Sequence, residues 1–339
     1  MYTYAEVMEI LMHDVGIPKD IIFDFTLSPQ SGFYEGYYEF CQQDLLGDAY
    51  KNNPDCPFIY DFKQSYFFFR NHFSVNARAG ISCNNYLISV NSGYMNLLYE
   101  TYFINNYPLK SKAVFAKYVF LENIGFGPIE KFMYNLTLQF TYFHEKAHLY
   151  QKRDSSFWIN ESYDYSDGKF DFKDHVLEFD ADIHAVYWVC QVLISYHMKL
   201  KSEWQNAKTM TMIICLGTAA ILTYFTKLQD DFKSMYFEDK SHPHAINRIM
   251  YILNAFIQFL EKRIPQLMLN REKIVLEAFA IAKELLHSHN STLVSFNVSD
   301  LTIILEIHEK GITNYVKKLG DTAFSGDMPF LTIHKLVND

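Results

Sequence analysis

The sequence has few cysteines, and their number and spacing exclude several kinds of site. Five stand among the 339 residues, at positions 41, 56, 83, 190 and 215. The number is odd and no pair has C-x-x-C spacing, so neither a disulfide framework nor a four-cysteine zinc site is indicated. Reduced thiols in a cytoplasmic protein fit this pattern best.

Signals for export and for nucleic-acid binding are absent as well. The opening segment MYTYAEVMEILMHDVG carries acidic residues but no basic region, so it does not resemble a signal peptide. The formal net charge is -9, and the Lys and Arg residues are scattered rather than gathered into a stripe. Because nucleic acid requires a positive surface that displaces counterions, we expect no direct binding of nucleic acid.

Long hydrophobic runs are also scarce. The segment from Met210 to Thr226 carries no charge over 17 residues, but it contains four threonines. A membrane-spanning helix needs about 20 predominantly apolar residues. We therefore interpret this segment as a buried core helix, with a membrane segment as the alternative.

Aromatic residues are abundant instead, with 25 Tyr and 30 Phe. We interpret them as core-filling side chains rather than as a surface that stacks bases. The pattern of elements predicts an α+β, mostly helical fold. It divides into an N-terminal α+β region at 1–125, a helical core at 126–290 and a C-terminal helical extension at 291–339.

The N-terminal region mixes helical and strand signals. Tyr2 to Met12 has helical spacing of apolar residues. Pro and Gly then punctuate the stretch from Pro18 to Pro57, so we expect no long helix there. Ile81 to Val90 predicts a strand whose β-rich core, Tyr86 to Val90, ends at a turn signal. Tyr94 to Phe103 predicts a helix.

The central region is dominated by helical patterns. Apolar residues that recur about every 3.6 positions after Pro128 predict a helix to about Arg153. A second helix is predicted from Asp171 or Asp174, either of which could cap it, to about Leu200. Further helices are predicted at 204–236, 243–263, 270–288 and 299–319, followed by an irregular final segment of about twenty residues.

The segment TYFHEKAHLY, at 141–150, carries the first chemical motif. His144 and His148 are four residues apart, so a helix projects them from one face towards a single cation. Glu145 is offset around the helix and can reach the attacking water without competing for the metal. The alternative is a helix with two hydrogen-bonded histidines and a surface glutamate.

A second motif, LEFDADIHA at 177–185, supplies acids on the next predicted helix. A catalytic zinc commonly takes three protein ligands, so Glu178 is predicted as the third. Asp182 lies one turn further on the same face and could orient a ligand histidine. Asp180 is expected to be the exposed acid. Asp182, His175 and His184 are reserve ligands, and a solvated acidic face is the alternative.

A third motif, SHPHAINR at 241–248, precedes a helical run. His242 or His244 could donate a hydrogen bond to a developing oxyanion, and we assign this role to His242. Arg248 could pair with Asp182 or hold the substrate. The alternative is a helix start whose histidines have no catalytic part.

Together, HEKAH, EFDAD and SHP with Arg248 resemble the gluzincin class of metallopeptidases. Two groups are similar. Lit-type phage-exclusion peptidases cleave a host translation factor during infection, and HtpX-type peptidases are membrane proteins. The short gap between His148 and Glu178 has no room for the paired membrane spans of the HtpX type, which favours the Lit type. The resemblance covers residues 144–248 and departs at Asp180, where Glu is usual.

The resemblance implies a zincin-like metallopeptidase fold with a small N-terminal sheet and an active-site helix pair. It implies one Zn²⁺ per chain, with His144, His148 and Glu178 as ligands and Glu145 as the general base. The implied activity is a zinc-dependent endopeptidase that cleaves an intracellular protein in phage defence. Its activity would be restrained until an activating trigger or a regulatory protein releases it.

The strand at Tyr86–Val90 is expected to lie at an exposed edge of the sheet beside the active site. Tyr86, Ile88 and Val90 are then candidates for binding an extended protein or peptide substrate through main-chain hydrogen bonds. Two other functions stay open: a non-catalytic interaction protein with a structural or absent metal, and a membrane-associated HtpX-like quality-control peptidase. A secreted thermolysin-type protease is disfavoured because the sequence shows no export signal.

Overall fold

The chain folds mostly into helices around one small sheet, which confirms the α+β expectation. The computed structural model describes residues 2–49, 64–105, 109–153, 170–228, 235–287 and 298–336. The strands are β1 (Ser65–Arg70), β2 (Ala77–Ser82) and β3 (Asn85–Asn91). The helices are α1 (Tyr4–His13), α2 (Ser31–Ala49), α3 (Ser92–Tyr99), α4 (Val119–Asn123), α5 (Ile129–Arg153), α6 (Phe172–Met198), α7 (Ala207–Leu228), α8 (Ala245–Arg263), α9 (Arg271–His287), α10 (Val298–Phe324) and α11 (Ile333–Leu336).

The first helix lies where its apolar spacing predicts. Thr3 caps α1 by accepting a hydrogen bond from the backbone N–H of Glu6 at 3.3 Å. The Glu6 carboxylate accepts the N–H of Thr3 in return, at 2.7 Å. This reciprocal capping box satisfies two backbone donors that the first turn cannot pair internally.

The expectation of no long helix between Pro18 and Pro57 is wrong, because α2 runs for 19 residues from Ser31 to Ala49. Its buried side chains recur at helical spacing: Tyr34, Tyr37, Tyr38, Cys41 and Leu45. Gly36 falls on the exposed face. Burial of the aromatic stripe therefore outweighs the weak helix propensity of glycine, which costs about 1 kcal/mol per residue. The residues from 50 to 63 lie outside the described part.

The predicted single strand at Ile81–Val90 is a hairpin. Cys83 and Asn84 have φ values of 48° and 63°, in the left-handed region, and they turn the chain between β2 and β3. β3 pairs antiparallel with β2, where Ala77 faces Val90. It also pairs parallel with β1, where Ser65 faces Tyr86.

This strand order, β1-β3-β2, contradicts the prediction of an edge strand at Tyr86–Val90. β3 is the central strand, so both of its main-chain edges are occupied by neighbouring strands. The Ile88 and Val90 side chains are fully buried. Tyr86, Ile88 and Val90 therefore have no open edge on which to pair with a substrate, although both β2 and β3 contact α5.

The predicted helices of the central region are present. α5 begins after Pro128 and ends at Arg153, and α6 begins after its N-cap Asp171, whose side chain accepts the N–H of Lys173. α5 and α6 pack along each other, and α7 packs against α5 and α9. The C-terminal prediction differs in part, because α10 continues to Phe324 and the short helix α11 follows.

The apolar segment Met210–Thr226 lies within α7. Among the described helices, α7 is long and apolar enough to cross a membrane, and 89% of its most apolar window is buried inside the protein. This burial agrees with its interpretation as a core helix. One hydrophobic cluster extends from Tyr4 to Leu336 and includes side chains from all three predicted regions.

Candidate metal centre

Two histidines of α5 direct their rings to the same point. The helix is buried on nearly all sides here and packs along α6. His144 and His148 lie one turn apart on the side that faces α6. Their Nε2 atoms lie 3.1 Å from each other. Two Nε2 lone pairs would repel at this distance, so the pair must share either a proton, as a hydrogen bond, or a metal cation.

Glu178 of α6 completes the group. Its carboxylate oxygens lie 3.5 Å from Nε2 of His144 and 3.4 Å from Nε2 of His148. Ligands that lie about 2.0–2.1 Å from a tetrahedral ion lie about 3.3–3.4 Å from one another. The three predicted ligands therefore meet at the spacing that a metal ion requires, and the group could hold one.

The electrostatics of the group favour positive charge at this position. Burial opposes ionisation of Glu178, but His242, His144 and His148 outweigh burial and hold its pKa well below the usual value. Burial also opposes protonation of His144, but hydrogen bonds to Asp182 and Glu178 raise its pKa to about 10. The carboxylates thus stabilise a cation beside His144, either a proton or a metal ion that displaces it.

Asp182, one turn after Glu178, supports His144 from behind. One of its oxygens lies 2.9 Å from Nδ1 of His144. Arg248 donates to both of its oxygens, from Nε at 2.8 Å and from Nη2 at 2.7 Å. Tyr251 donates its hydroxyl at 2.6 Å. The predicted pairing of Arg248 with Asp182 is present, and it keeps a fully buried carboxylate charged beside the ligand histidine.

A second support lies behind His148, at a residue that was not predicted as part of the site. Nδ1 of His148 lies 2.8 Å from Oε1 of Gln151. Gln151 in turn donates to the Asp180 carboxylate at 2.8 Å. The expectation that Asp180 is the exposed acid is wrong, because it is fully buried. The sequence signal was a glutamine one turn after a ligand histidine, where an i,i+3 pair can meet.

Among the other predicted residues, His242 reaches the group. Its Nδ1 lies 3.3 Å from Glu178, and its side chain is 27% exposed. His244 instead caps α8, where its Nδ1 accepts the N–H of Ile246 at 3.1 Å. Glu145 is buried on α5 beside His144.

The reserve histidines have structural partners away from the metal position. His175 contacts the Tyr315 hydroxyl, and its Nε2 lies 2.7 Å from the carbonyl oxygen of Lys240. His184 accepts a hydrogen bond from the Trp188 indole at 3.1 Å, and burial holds its pKa well below the usual value. His184 is therefore neutral at physiological pH and has a core role.

Comparison with known proteins identifies no relative of this chain. No family model, no curated protein and no solved structure matches it. The resemblance to gluzincins rests on the three short motifs and on the geometry of the residues that they contain.

Proposed function

We propose that this protein is a zinc-dependent endopeptidase that hydrolyses a peptide bond in an intracellular, cytoplasmic protein. The supporting observation is the meeting of His144, His148 and Glu178 at mutual distances of 3.1–3.5 Å, with Glu145 next to His144 on α5. A protein or peptide is the substrate class. The Lit-type resemblance extends the proposal to phage defence, in which the target is a host translation factor.

The donor set supports zinc as the metal, with one ion per chain. Two imidazoles and one carboxylate are a common ligand set of catalytic zinc, and they leave a fourth position for water or substrate. When bound, zinc lowers the pKa of water towards neutrality and polarises the scissile carbonyl. Asp182 and Gln151 each support one ligand histidine, as the ligands of such sites require.

Glu145 is the general base of this proposal. One step along a helix turns the side chain by about 100°, so Glu145 is not directed to the same point as His144. Its carboxylate accepts the proton of the attacking water and then delivers it to the leaving amine. Burial of Glu145, which is 8% exposed, limits competing solvent around the carboxylate.

His242 is the oxyanion donor of this proposal. It lies against Glu178 yet keeps a quarter of its side chain exposed, so it borders both the ligand group and the accessible side of the site. A ring N–H there can donate a hydrogen bond to the oxygen that becomes negative during attack on the carbonyl. Arg248 binds the Asp182 carboxylate, so its role is to fix the residue that supports His144 rather than to bind the substrate.

The test is Glu145→Gln. The variant keeps stoichiometric zinc, because the ligands are intact, and loses cleavage, because an amide cannot accept the proton. Mass spectrometry of new protein termini in cells that express wild type or the variant identifies the substrate at the same time. Glu272→Gln, at an exposed position of α9, is the matched control and retains cleavage. The same new termini with wild type and Glu145→Gln would remove the proposed mechanism.

One observation favours a second candidate, a non-catalytic protein with a structural metal. His144 and Glu178 are only 8% and 5% exposed, and structural zinc sites are closed to solvent. This candidate predicts bound zinc and no new termini in cells that express the wild-type protein. Membrane fractionation separates both candidates from an HtpX-like peptidase, which would partition with membranes through α7.

A further inference from the structure

The candidate ligand His148 is connected to the C-terminal segment Met328–Leu336 by consecutive hydrogen bonds, of which only the first is partly exposed. They run from Nδ1 of His148 to Gln151 and from Gln151 to Asp180. Asp180 then accepts the backbone N–H groups of Thr332 and Ile333 at 3.0 and 2.7 Å. These contacts join the end of α5, the first third of α6 and the start of α11.

The orientation of the Gln151 amide decides which nitrogen of His148 carries the proton. Both donors of the amide are used, one by the Leu177 carbonyl at 2.9 Å and one by Asp180 at 2.8 Å. Its oxygen is therefore the atom that faces His148, and it can only accept. Nδ1 of His148 must then carry the proton, which leaves a lone pair on Nε2 at the metal position.

Asp180 controls this amide orientation because it offers acceptors only. A flipped Gln151 would direct its oxygen at the Asp180 carboxylate and at the Leu177 carbonyl, which are both acceptors. Asp180 itself is fully buried, and its four donors are neutral: Gln151 Nε2, Thr332 N, Thr332 Oγ1 and Ile333 N. Three of these donors belong to the C-terminal segment, so the buried charge depends on that segment.

The C-terminal segment is held in this place by apolar packing. Leu331 is fully buried, and Ile333 and Leu336 are each 2% exposed within the main hydrophobic cluster. Thr332 lies between two of these side chains and is fully buried as well. The backbone donors that face Asp180 are therefore presented by a packed segment of the core.

We propose that Asp180 and the C-terminal segment Met328–Leu336 are positioning elements of the metal centre. They hold Gln151 in the orientation that keeps the Nε2 lone pair of His148 on the metal. Metal affinity is thereby linked to the docking of a segment that lies far from the ligands in sequence. The inference rests on the metal centre of the proposed function, but it does not depend on peptidase activity.

The test measures zinc affinity and the His148 tautomer in Asp180→Asn and Thr332→Val. The amide introduced by Asp180→Asn can donate to the Gln151 oxygen, which frees Gln151 to flip and to move the His148 proton to Nε2. We expect zinc binding, measured by competition with a chromophoric chelator, to weaken about 10–100-fold in Asp180→Asn. Thr332→Val removes one donor of four and weakens binding by a smaller factor. Asp321→Asn, exposed on α10, is the control and binds as wild type does.

The tautomer readout separates positioning from general damage to the fold. Nitrogen-15 NMR of the metal-free protein should show His148 protonated at Nδ1 in wild type and increasingly at Nε2 in Asp180→Asn. Where Asp180→Asn does not fold, Thr332→Val keeps both backbone donors and tests the same link. Unchanged zinc affinity and tautomer in a folded variant overturn the inference.

The outcomes also distinguish this inference from the enzymatic proposal. Wild-type protein that binds zinc and cleaves nothing refutes the peptidase but supports the inference if the variants lose affinity. Wild-type protein that binds no zinc overturns the metal centre and this inference together.

Discussion

At the scale of single residues, Asp180 and Asp182 support different ligand histidines although they are two positions apart on α6. Two helical positions separate side-chain directions by about 200°. Asp182 therefore faces His144 and Arg248, whereas Asp180 faces Gln151 and the C-terminal segment. One carboxylate is balanced by a cation and the other only by neutral donors, so they should respond differently to substitution.

Arg248→Met should weaken both the fold and the metal centre, because it leaves the Asp182 charge buried without its cation. Removal of one partner of a buried ion pair costs about 3–5 kcal/mol of unfolding free energy. The loss of support for His144 should lower zinc affinity about 10–100-fold. Urea unfolding and zinc competition measure the two effects.

The matched control is Arg271→Met. Arg271 also binds a carboxylate with two nitrogens, that of Glu261, but its side chain is 55% exposed. Exposed pairs contribute about 0–1 kcal/mol, so this variant should unfold and bind zinc nearly as wild type does. If Arg248→Met and Arg271→Met lost equal unfolding free energy and equal zinc affinity, burial of the Arg248–Asp182 pair would not explain the effect.

The candidate ligands could be found in the sequence because their evidence is local. A spacing of four on a helix places His144 and His148 together, and the acid on the next helix is the natural third ligand. Asp180 was not predicted as a support, because its partners Thr332 and Ile333 lie far along the chain. No local pattern distinguishes a buried acid with distant donors from a solvated one.

At the scale of elements, the packing around Gly93 and Gly36 decides what an alanine at each position does to the stability of the protein. Gly93 lies in the first turn of α3, directly after β3, where an added Cβ would lie 2.0 Å from the carbonyl oxygen of Phe73. The backbone of Phe73 cannot move aside as the flexible end of a side chain can. Gly36, on the exposed face of α2, has nothing within 4 Å of an added Cβ.

The same substitution should therefore have opposite signs at the two positions. Gly93→Ala should destabilise the protein by about 3 kcal/mol, because the β3–α3 junction must shift to relieve the clash. Gly36→Ala should stabilise it by about 0.5–1 kcal/mol, because alanine loses less conformational freedom in a helix. Thermal and urea unfolding give both values, and a destabilised Gly36→Ala would argue against a continuous α2.

At the scale of the whole molecule, the metal position joins helices that are distant in sequence. α5 provides two of the candidate ligands and α6 the third, while α8 and the start of α11 support them through Asp182 and Asp180. These helices belong to one hydrophobic cluster, so the ligand positions depend on the packing of the whole core. The unfolded chain cannot present the same arrangement, and metal binding should therefore be coupled to folding.

Zinc should accordingly raise the stability of the entire protein. At a free concentration about 100-fold above the dissociation constant, an ion that binds only the folded state stabilises it by about 2.7 kcal/mol. Calorimetry with zinc and with a chelator measures the difference in melting temperature. His148→Ala should abolish the difference, whereas His13→Ala, exposed at the end of α1, should retain it. A zinc effect of equal size in His148→Ala would place the binding elsewhere.

The sequence alone determined the helices of the central region and the identity of the candidate ligands, because helical periodicity and i,i+4 spacing are properties of neighbouring residues. Only the tertiary structure decided that β3 is a central strand, that α2 forms in a glycine-containing stretch, and that Asp180 is buried beneath Thr332 and Ile333. Each of these features depends on partners from distant parts of the chain. Strand order and burial are set by which surfaces pack together, and local patterns do not encode that choice.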